Sequence, residues 1–164
     1  MGEGFDTETG IKYVSFGSGK KTMAVVPGLS VGFVTDAKES LVNVFEAFKD
    51  EYTVFVFDVR KDVPENFTME AMGEDLAEVI MRLGLNDVYM YGCSMGGIEA
   101  MYVAGKYPQL VKKLAVASSA CRSNKTIQKT LKKWLKMAKT GKYRALTDNF
   151  GKKIYSKPVY EAGL

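Results

Sequence analysis

A serine flanked by two glycines is the feature of this chain with the clearest chemical potential. It lies in the segment Gly92-Cys93-Ser94-Met95-Gly96, between an apolar run typical of a strand and a stretch typical of a helix. Glycines two residues before and after the serine relieve the crowding of a very tight strand-to-helix turn, because glycine has no Cβ. In such a turn the Ser94 hydroxyl projects from the carboxyl edge of the sheet, where ligands of open α/β folds bind.

A serine nucleophile needs partners, and the sequence supplies only some of them. Met95 begins the predicted helix, so its backbone N–H is free to hold a developing oxyanion beside Ser94. None of the 164 residues is histidine, so no imidazole is available to take the serine proton. We therefore expect little or no turnover by this chain. Cys93 is expected to point away from the turn and to pack.

Strands and helices alternate along the first three quarters of the chain. The sequence predicts an opening hairpin from 5–8 and 11–16, and then strands and helices that follow one another in turn. The strands are predicted at 22–26, 52–59, 88–91 and 114–117, and the helices at 37–50, 69–83 and 95–107. This order favours a mostly parallel sheet with an N-terminal hairpin and helices on both faces, which is a three-layer α/β/α sandwich.

The distribution of charge divides the chain near Arg122. Residues 1–121 carry a net charge of −6 and residues 122–164 a net charge of +10, within an overall charge of +4. We predict two domains with these bounds, of which the second is helical. Its basic amphipathic helix at 126–140 has two interpretations. In the first, its positive charge attracts acidic substrates, a membrane surface or an acidic partner. In the second, its lysines are simply solvated, and Leu131 and Trp134 lie on the substrate or core side. We favour the second interpretation.

These features together resemble the α/β-hydrolase family over essentially the whole chain. The hairpin is similar to the first two strands of that family, and 25–30 resembles the end of its third strand and its oxyanion loop. Pro27 stands where the family usually has histidine. Asp58 and Arg60 lie at a polar exit that resembles the fourth strand. The basic segment resembles the start of the cap, so the chain resembles an incomplete core with a partial cap.

The resemblance implies a serine hydrolase that acts on a carboxylic ester or related acyl substrate through an acyl-enzyme. Ser94 would be the nucleophile, the N–H groups of Leu29 and Met95 would form the oxyanion hole, and Gly92 and Gly96 would shape the turn. No metal or cofactor is implied. The acid and histidine that follow the serine in the family are absent, so we expect a truncated chain, a natural remnant or one half of an assembly. The alternative function is a non-catalytic binding protein of the same fold.

The remaining expectations concern partners and location. A chain that ends in the cap would leave its sixth strand as an open edge, which predicts a homo-oligomer or a complementing C-terminal fragment. The longest apolar runs are too short to span a membrane, and no nucleic-acid-binding module is present. We therefore predict a cytoplasmic protein with a small-molecule substrate and with neither a nucleic acid nor a membrane as partner, in which Cys93 and Cys121 are reduced and buried.

Overall fold

The computed structural model describes residues 1–29, 32–60 and 62–163; Ser30, in the loop that resembles an oxyanion loop, lies outside them. Two compact units are present, Met1–Cys121 and Arg122–Leu164. The first contains a sheet with helices, and the described part of the second contains helices only.

Six strands form one sheet in the described part of the first unit. Their bounds are β1 (Gly2–Phe5), β2 (Ile11–Phe16), β3 (Lys21–Val26), β4 (Tyr52–Arg60), β5 (Val88–Cys93) and β6 (Val111–Ala117). The order across the sheet is β1-β2-β4-β3-β5-β6. β2 is antiparallel to both β1 and β4, whereas β3 is parallel to β4 and β5, and β5 is parallel to β6. The predicted mostly parallel sheet with an N-terminal hairpin is confirmed.

The described residues also contain six α-helices. Their bounds are α1 (Lys38–Val44), α2 (Met69–Arg82), α3 (Met95–Lys106), α4 (Lys125–Lys139), α5 (Tyr143–Ile154) and α6 (Lys157–Glu161). Short 3₁₀ helices cover Val34–Ala37, Glu46–Phe48 and Pro108–Leu110. The first three α-helices belong to the first unit and the last three to the second.

Two apolar cores lie on opposite faces of the sheet, as the alternation of side chains along β3 requires. Ala24 and Val26 pack into the core that contains Leu76 of α2 and Val103 of α3. Met23 and Val25 belong to the other core, against which Leu41, Val42 and Phe45 of the α1 region pack. Helices therefore cover both faces, and the predicted three-layer arrangement is confirmed.

Two predicted elements differ from the structure. The first hairpin strand covers 2–5 rather than 5–8, because the carboxylate of Asp6 accepts hydrogen bonds from both the N–H and the hydroxyl of Thr9, each at 2.8 Å, and so makes 6–9 a turn. The single helix predicted over 37–50 is broken after Val44. The break allows Phe45 to pack edge-on against Tyr91 and Phe48 against Tyr52.

β6 lies at the edge of the described sheet. It pairs with β5 and with no other described strand, and Leu114 and Val116 are 37% and 40% exposed. Apolar side chains and unpaired backbone groups are therefore accessible along this edge.

Candidate active site

Ser94 connects the end of β5 to the start of α3 in a backbone conformation that is strained for a residue with a side chain. Its φ and ψ are 52° and −118°. The Ser94 N–H donates a hydrogen bond to the carbonyl oxygen of Ala117, at 2.9 Å, which ties the turn to the end of β6. The side chain is exposed, and the hydroxyl neither caps α3 nor forms a hydrogen bond with another described residue. It is therefore accessible to a ligand.

The glycines around Ser94 lie where a side chain would not fit. A Cβ on Gly92 would be 2.6 Å from the carbonyl oxygen of Gly96 and 2.7 Å from the Cβ of Ala100. A Cβ on Gly96 would lie closer than 3.0 Å to the carbonyl oxygens of Val26 and Pro27. The sequence indicated crowding between Gly92 and Gly96, but not that Gly96 also faces the end of β3.

The loop after β3 passes directly beside Ser94. A Cβ on Gly28 would be 3.1 Å from the Ser94 Cβ and 3.6 Å from its Oγ. Leu29 follows with an 80% exposed side chain, and its N–H has no hydrogen-bond acceptor among the described residues. Gly28 is the close neighbour that sequence reasoning did not single out, since only the arrangement of β3 beside β5 reveals it.

Leu29 and Met95 lie on the walls of one cavity. Its lining residues are Val26, Pro27, Gly28, Leu29, Phe57, Asp58, Val59, Met95 and Glu99. The structure thus brings together Met95, whose N–H the sequence predicted as an oxyanion donor, and Leu29, to which the family resemblance gives the same role. Ser94 adjoins the same loop through Gly28.

Asp58, at the end of β4, holds the segment that follows this loop. Its Oδ2 accepts a hydrogen bond from the Val34 N–H at 2.8 Å, and its Oδ1 accepts one from the Val59 N–H at 2.9 Å. Both carboxylate oxygens are therefore used, and the 3₁₀ helix that begins at Val34 is fixed to the sheet. Asp58 therefore positions the segment that begins at Val34.

Glu99 is a buried acid that the sequence analysis did not identify. It lies on α3, is 3% exposed, and its Oε1 has no hydrogen-bond partner among the described residues. Burial raises the pKa of Glu99 to about 7, and the negative charge of Asp75 adds to the shift. Arg60 forms an ion pair with Asp75 at 3.2 Å, and these two also line a cavity with Glu99. No sequence signal marked Glu99, because a glutamate in a helix is usually on its exposed face.

The two cysteines differ in their surroundings, and both are free thiols. Cys93 is half-buried and lies beside Tyr91 on the same face of β5. Burial raises the pKa of Tyr91, and the neighbouring Cys93 thiol raises it further. Cys121 is exposed, so the prediction that it is buried is wrong. Within residues 1–29, 32–60 and 62–163, no three cysteine or acidic side chains are grouped so as to hold a metal ion.

Comparisons with known proteins agree with the fold described above. The profile of the alpha/beta hydrolase fold family matches residues 32–154, and the chain belongs to this family. The resemblance seen in the sequence is thereby confirmed.

Two relatives illustrate the range of similar proteins. The chain is 31% identical over 80 residues to 3-oxoadipate enol-lactonase 1 of Acinetobacter baylyi, a match that covers 46% of this chain and 30% of the relative. It is 26% identical over 115 residues to serine hydrolase BPHL of Mus musculus, covering 65% of this chain and 38% of the relative. The matches thus span between about a third and two fifths of these relatives' own length.

Solved structures show the same fold over more of the chain. A hydrolase from Pseudomonas aeruginosa PA01 superposes with a TM-score of 0.64 at 20% identity, covering 93% of this chain and 60% of that one. A thermophilic esterase from Thermogutta terrifontis superposes with a TM-score of 0.64 at 26% identity, covering 79% and 47%.

Proposed function

We propose that Ser94 is the nucleophile of a serine hydrolase that cleaves a small carboxylic ester, or a related acyl compound, through an acyl-enzyme. The Ser94 oxygen would bond to the carbonyl carbon, its proton would pass to a base, and the alcohol would leave with a proton. Water would then release the acid in a second addition and elimination. The N–H groups of Leu29 and Met95 would hold the oxyanion in both steps.

The conformation of Ser94 is the observation that carries this proposal. A positive φ at a serine between a parallel strand and a helix is uncommon, and it leaves the hydroxyl exposed without a partner among the described residues. The cavity shared by Leu29 and Met95 supports the proposed oxyanion hole. The choice of an acyl–oxygen bond is supported by the lactonase and the esterase among the similar proteins.

A histidine base for Ser94 would have to come from outside these 164 residues, because none of them is histidine. We propose that a histidine-bearing polypeptide adds to the open edge of β6, where backbone groups and the side chains of Leu114 and Val116 are accessible. Without it, an oxyanion hole and binding alone can leave about 10³–10⁴-fold catalysis over water. The chain alone should therefore acylate slowly and turn over little.

Covalent labelling with imidazole as an added base tests the role of Ser94. The chain is treated with an alkyl fluorophosphonate over a range of imidazole concentrations, and the adduct is located by peptide mass spectrometry. We expect labelling of Ser94 that accelerates with imidazole and is abolished by Ser94→Ala. Ser123→Ala removes another exposed serine and serves as the matched control. A chain that stays unlabelled at Ser94 at every imidazole concentration contradicts the proposal.

The lack of histidine favours a second candidate, a non-catalytic binding protein of this fold. A ligand would then occupy the cavity beside Leu29 and Met95 without forming a bond to Ser94. Equal affinity of the wild type and Ser94→Ala for a carboxylic ester, together with no covalent adduct in the presence of imidazole, would favour this candidate.

A further inference from the structure

The helix α4 presents apolar side chains to solvent over most of its length. Ile127, Leu131 and Leu135 recur every four residues and therefore lie along one stripe of the helix. They are 41%, 52% and 56% exposed. Trp134, three residues after Leu131, borders this stripe; its ring packs on Phe150 with centroids 5.1 Å apart and its Nε1–H donates to the Oδ1 of Asn149 at 3.0 Å. The stripe therefore borders the contact between α4 and α5, and its three side chains still lie largely in solvent.

The lysines of α4 lack acidic partners within the described chain. They are exposed, and no ion pair of theirs is present among the described residues: Lys125, Lys129, Lys132, Lys133, Lys136 and Lys139. The two acids of the second unit are already engaged, Asp148 with Lys152 at 2.9 Å and Glu161 with Lys157 at 3.7 Å. The positive charge of α4 is therefore uncompensated.

We propose that α4 docks on the anionic surface of a lipid bilayer, with the Ile127–Leu131–Leu135 stripe inserted among the acyl chains. Lys132 precedes Leu135 by three residues and Lys139 follows it by four, so both lysines adjoin the stripe on the helix surface. Their aliphatic stems can lie along the acyl boundary while the ammonium groups reach lipid phosphates. This surface does not involve Ser94, so it stands independently of the proposed hydrolase activity.

The combination of stripe and lysines favours a lipid surface over a nucleic acid. A nucleic acid would engage the lysines and leave the three apolar side chains in water. A lipid surface satisfies both, as amphipathic helices with basic polar faces do when they lie in the interface. Among the described residues, no helix is long and apolar enough to cross a membrane.

Vesicle flotation with the full chain tests the proposal. The vesicles contain either phosphatidylcholine alone or phosphatidylcholine with phosphatidylserine. We expect binding to the anionic vesicles only, with a loss in high salt. Leu131→Gln with Leu135→Gln should weaken binding about tenfold or more, because the two side chains no longer transfer to an apolar phase. Lys132→Gln with Lys139→Gln should weaken it by about 25-fold, since each lysine near such a surface contributes about fivefold.

A matched control is Val44→Gln, which removes an exposed apolar side chain from α1 in the first unit and should leave flotation unchanged. Circular dichroism must show that each variant keeps its helix content. Equal flotation with neutral vesicles, or undiminished flotation of the double leucine variant, would overturn the proposal. The proposal would also be overturned if the chain bound a DNA duplex but not the vesicles, and if Leu131→Gln with Leu135→Gln left that DNA binding unchanged. This outcome would assign the lysines to nucleic-acid binding.

Discussion

Gly96 at the start of α3 faces the carbonyl oxygen of Val26 at the end of β3, so closely that a Cβ on Gly96 would lie less than 3.0 Å from that oxygen. Because the obstacle is backbone, Gly96→Ala must displace either β3 or α3. We expect it to lower the free energy of unfolding by about 2–3 kcal/mol. The midpoint of urea denaturation measures the effect.

The same helix contains a suitable control for this substitution. A Cβ on Gly105 would have no heavy atom within 4 Å, and Gly105 has a helical backbone. Gly105→Ala should therefore raise the free energy of unfolding, by about 0.5 kcal/mol, through helix propensity alone. Similar effects of the two substitutions would contradict the close packing of Gly96 on β3.

Glu99 should make the first unit less stable as pH rises toward neutrality. Its folded pKa of about 7 lies above the value of 4.5 expected for an unfolded chain, so between these values the folded state holds a proton that the unfolded state has released. Stability associated with Glu99 is then fully present below about pH 4.5 and is lost as pH rises to about 7. The loss amounts to about 3 kcal/mol.

Glu99→Gln isolates this dependence, because glutamine has nearly the same shape and does not titrate. The difference in unfolding free energy between Glu99→Gln and the wild type should grow in favour of the variant from pH 5 to pH 7 and then level off. Glu65→Gln, at an exposed position, is the control. A difference that is constant with pH would show that the pKa of Glu99 is not raised in the folded protein.

The fold could be predicted further than the site, and the reason is the range of the interactions. Continuous apolar runs such as Thr22 to Val26 mark buried strands locally, and the spacing of Gly92, Ser94 and Gly96 marks a tight turn locally. The approach of Gly28 to Ser94 depends on how β3 and β5 pair. The burial of Glu99 depends in the same way on α2, α3 and β4 meeting, which no local pattern encodes.

Asp58 should fix the start of the 3₁₀ helix at Val34 to the sheet. Asp58→Asn leaves a single carbonyl oxygen where two carboxylate oxygens accept from Val34 and Val59. We expect one bond to be lost, the free energy of unfolding to fall by about 1–2 kcal/mol, and the Val34 amide to exchange faster with deuterium. If Ser94 acts as proposed, its labelling by a fluorophosphonate should also slow.

Asp62→Asn provides the comparison for Asp58, since Asp62 is exposed and shortly follows β4. It should leave both the exchange of the Val34 amide and the labelling of Ser94 unchanged. Unchanged exchange in Asp58→Asn as well would mean that the segment beginning at Val34 is held by other contacts.

The second unit should open before the first, because its helices bury so little. In α4, α5 and α6 the one buried residue among those described is Gly151, whereas β3, β4 and β5 contain fully buried side chains such as Val25, Val56 and Val88. Local opening is most frequent where buried apolar contacts are few. Hydrogen–deuterium exchange should therefore proceed earlier in peptides from 125–154 than in peptides from 52–60 and 88–93.

Asn149→Ala, which removes the acceptor of the Trp134 indole N–H, should accelerate exchange in 125–154 and leave the strands unaffected. Equal protection of the two units would instead indicate that they unfold together.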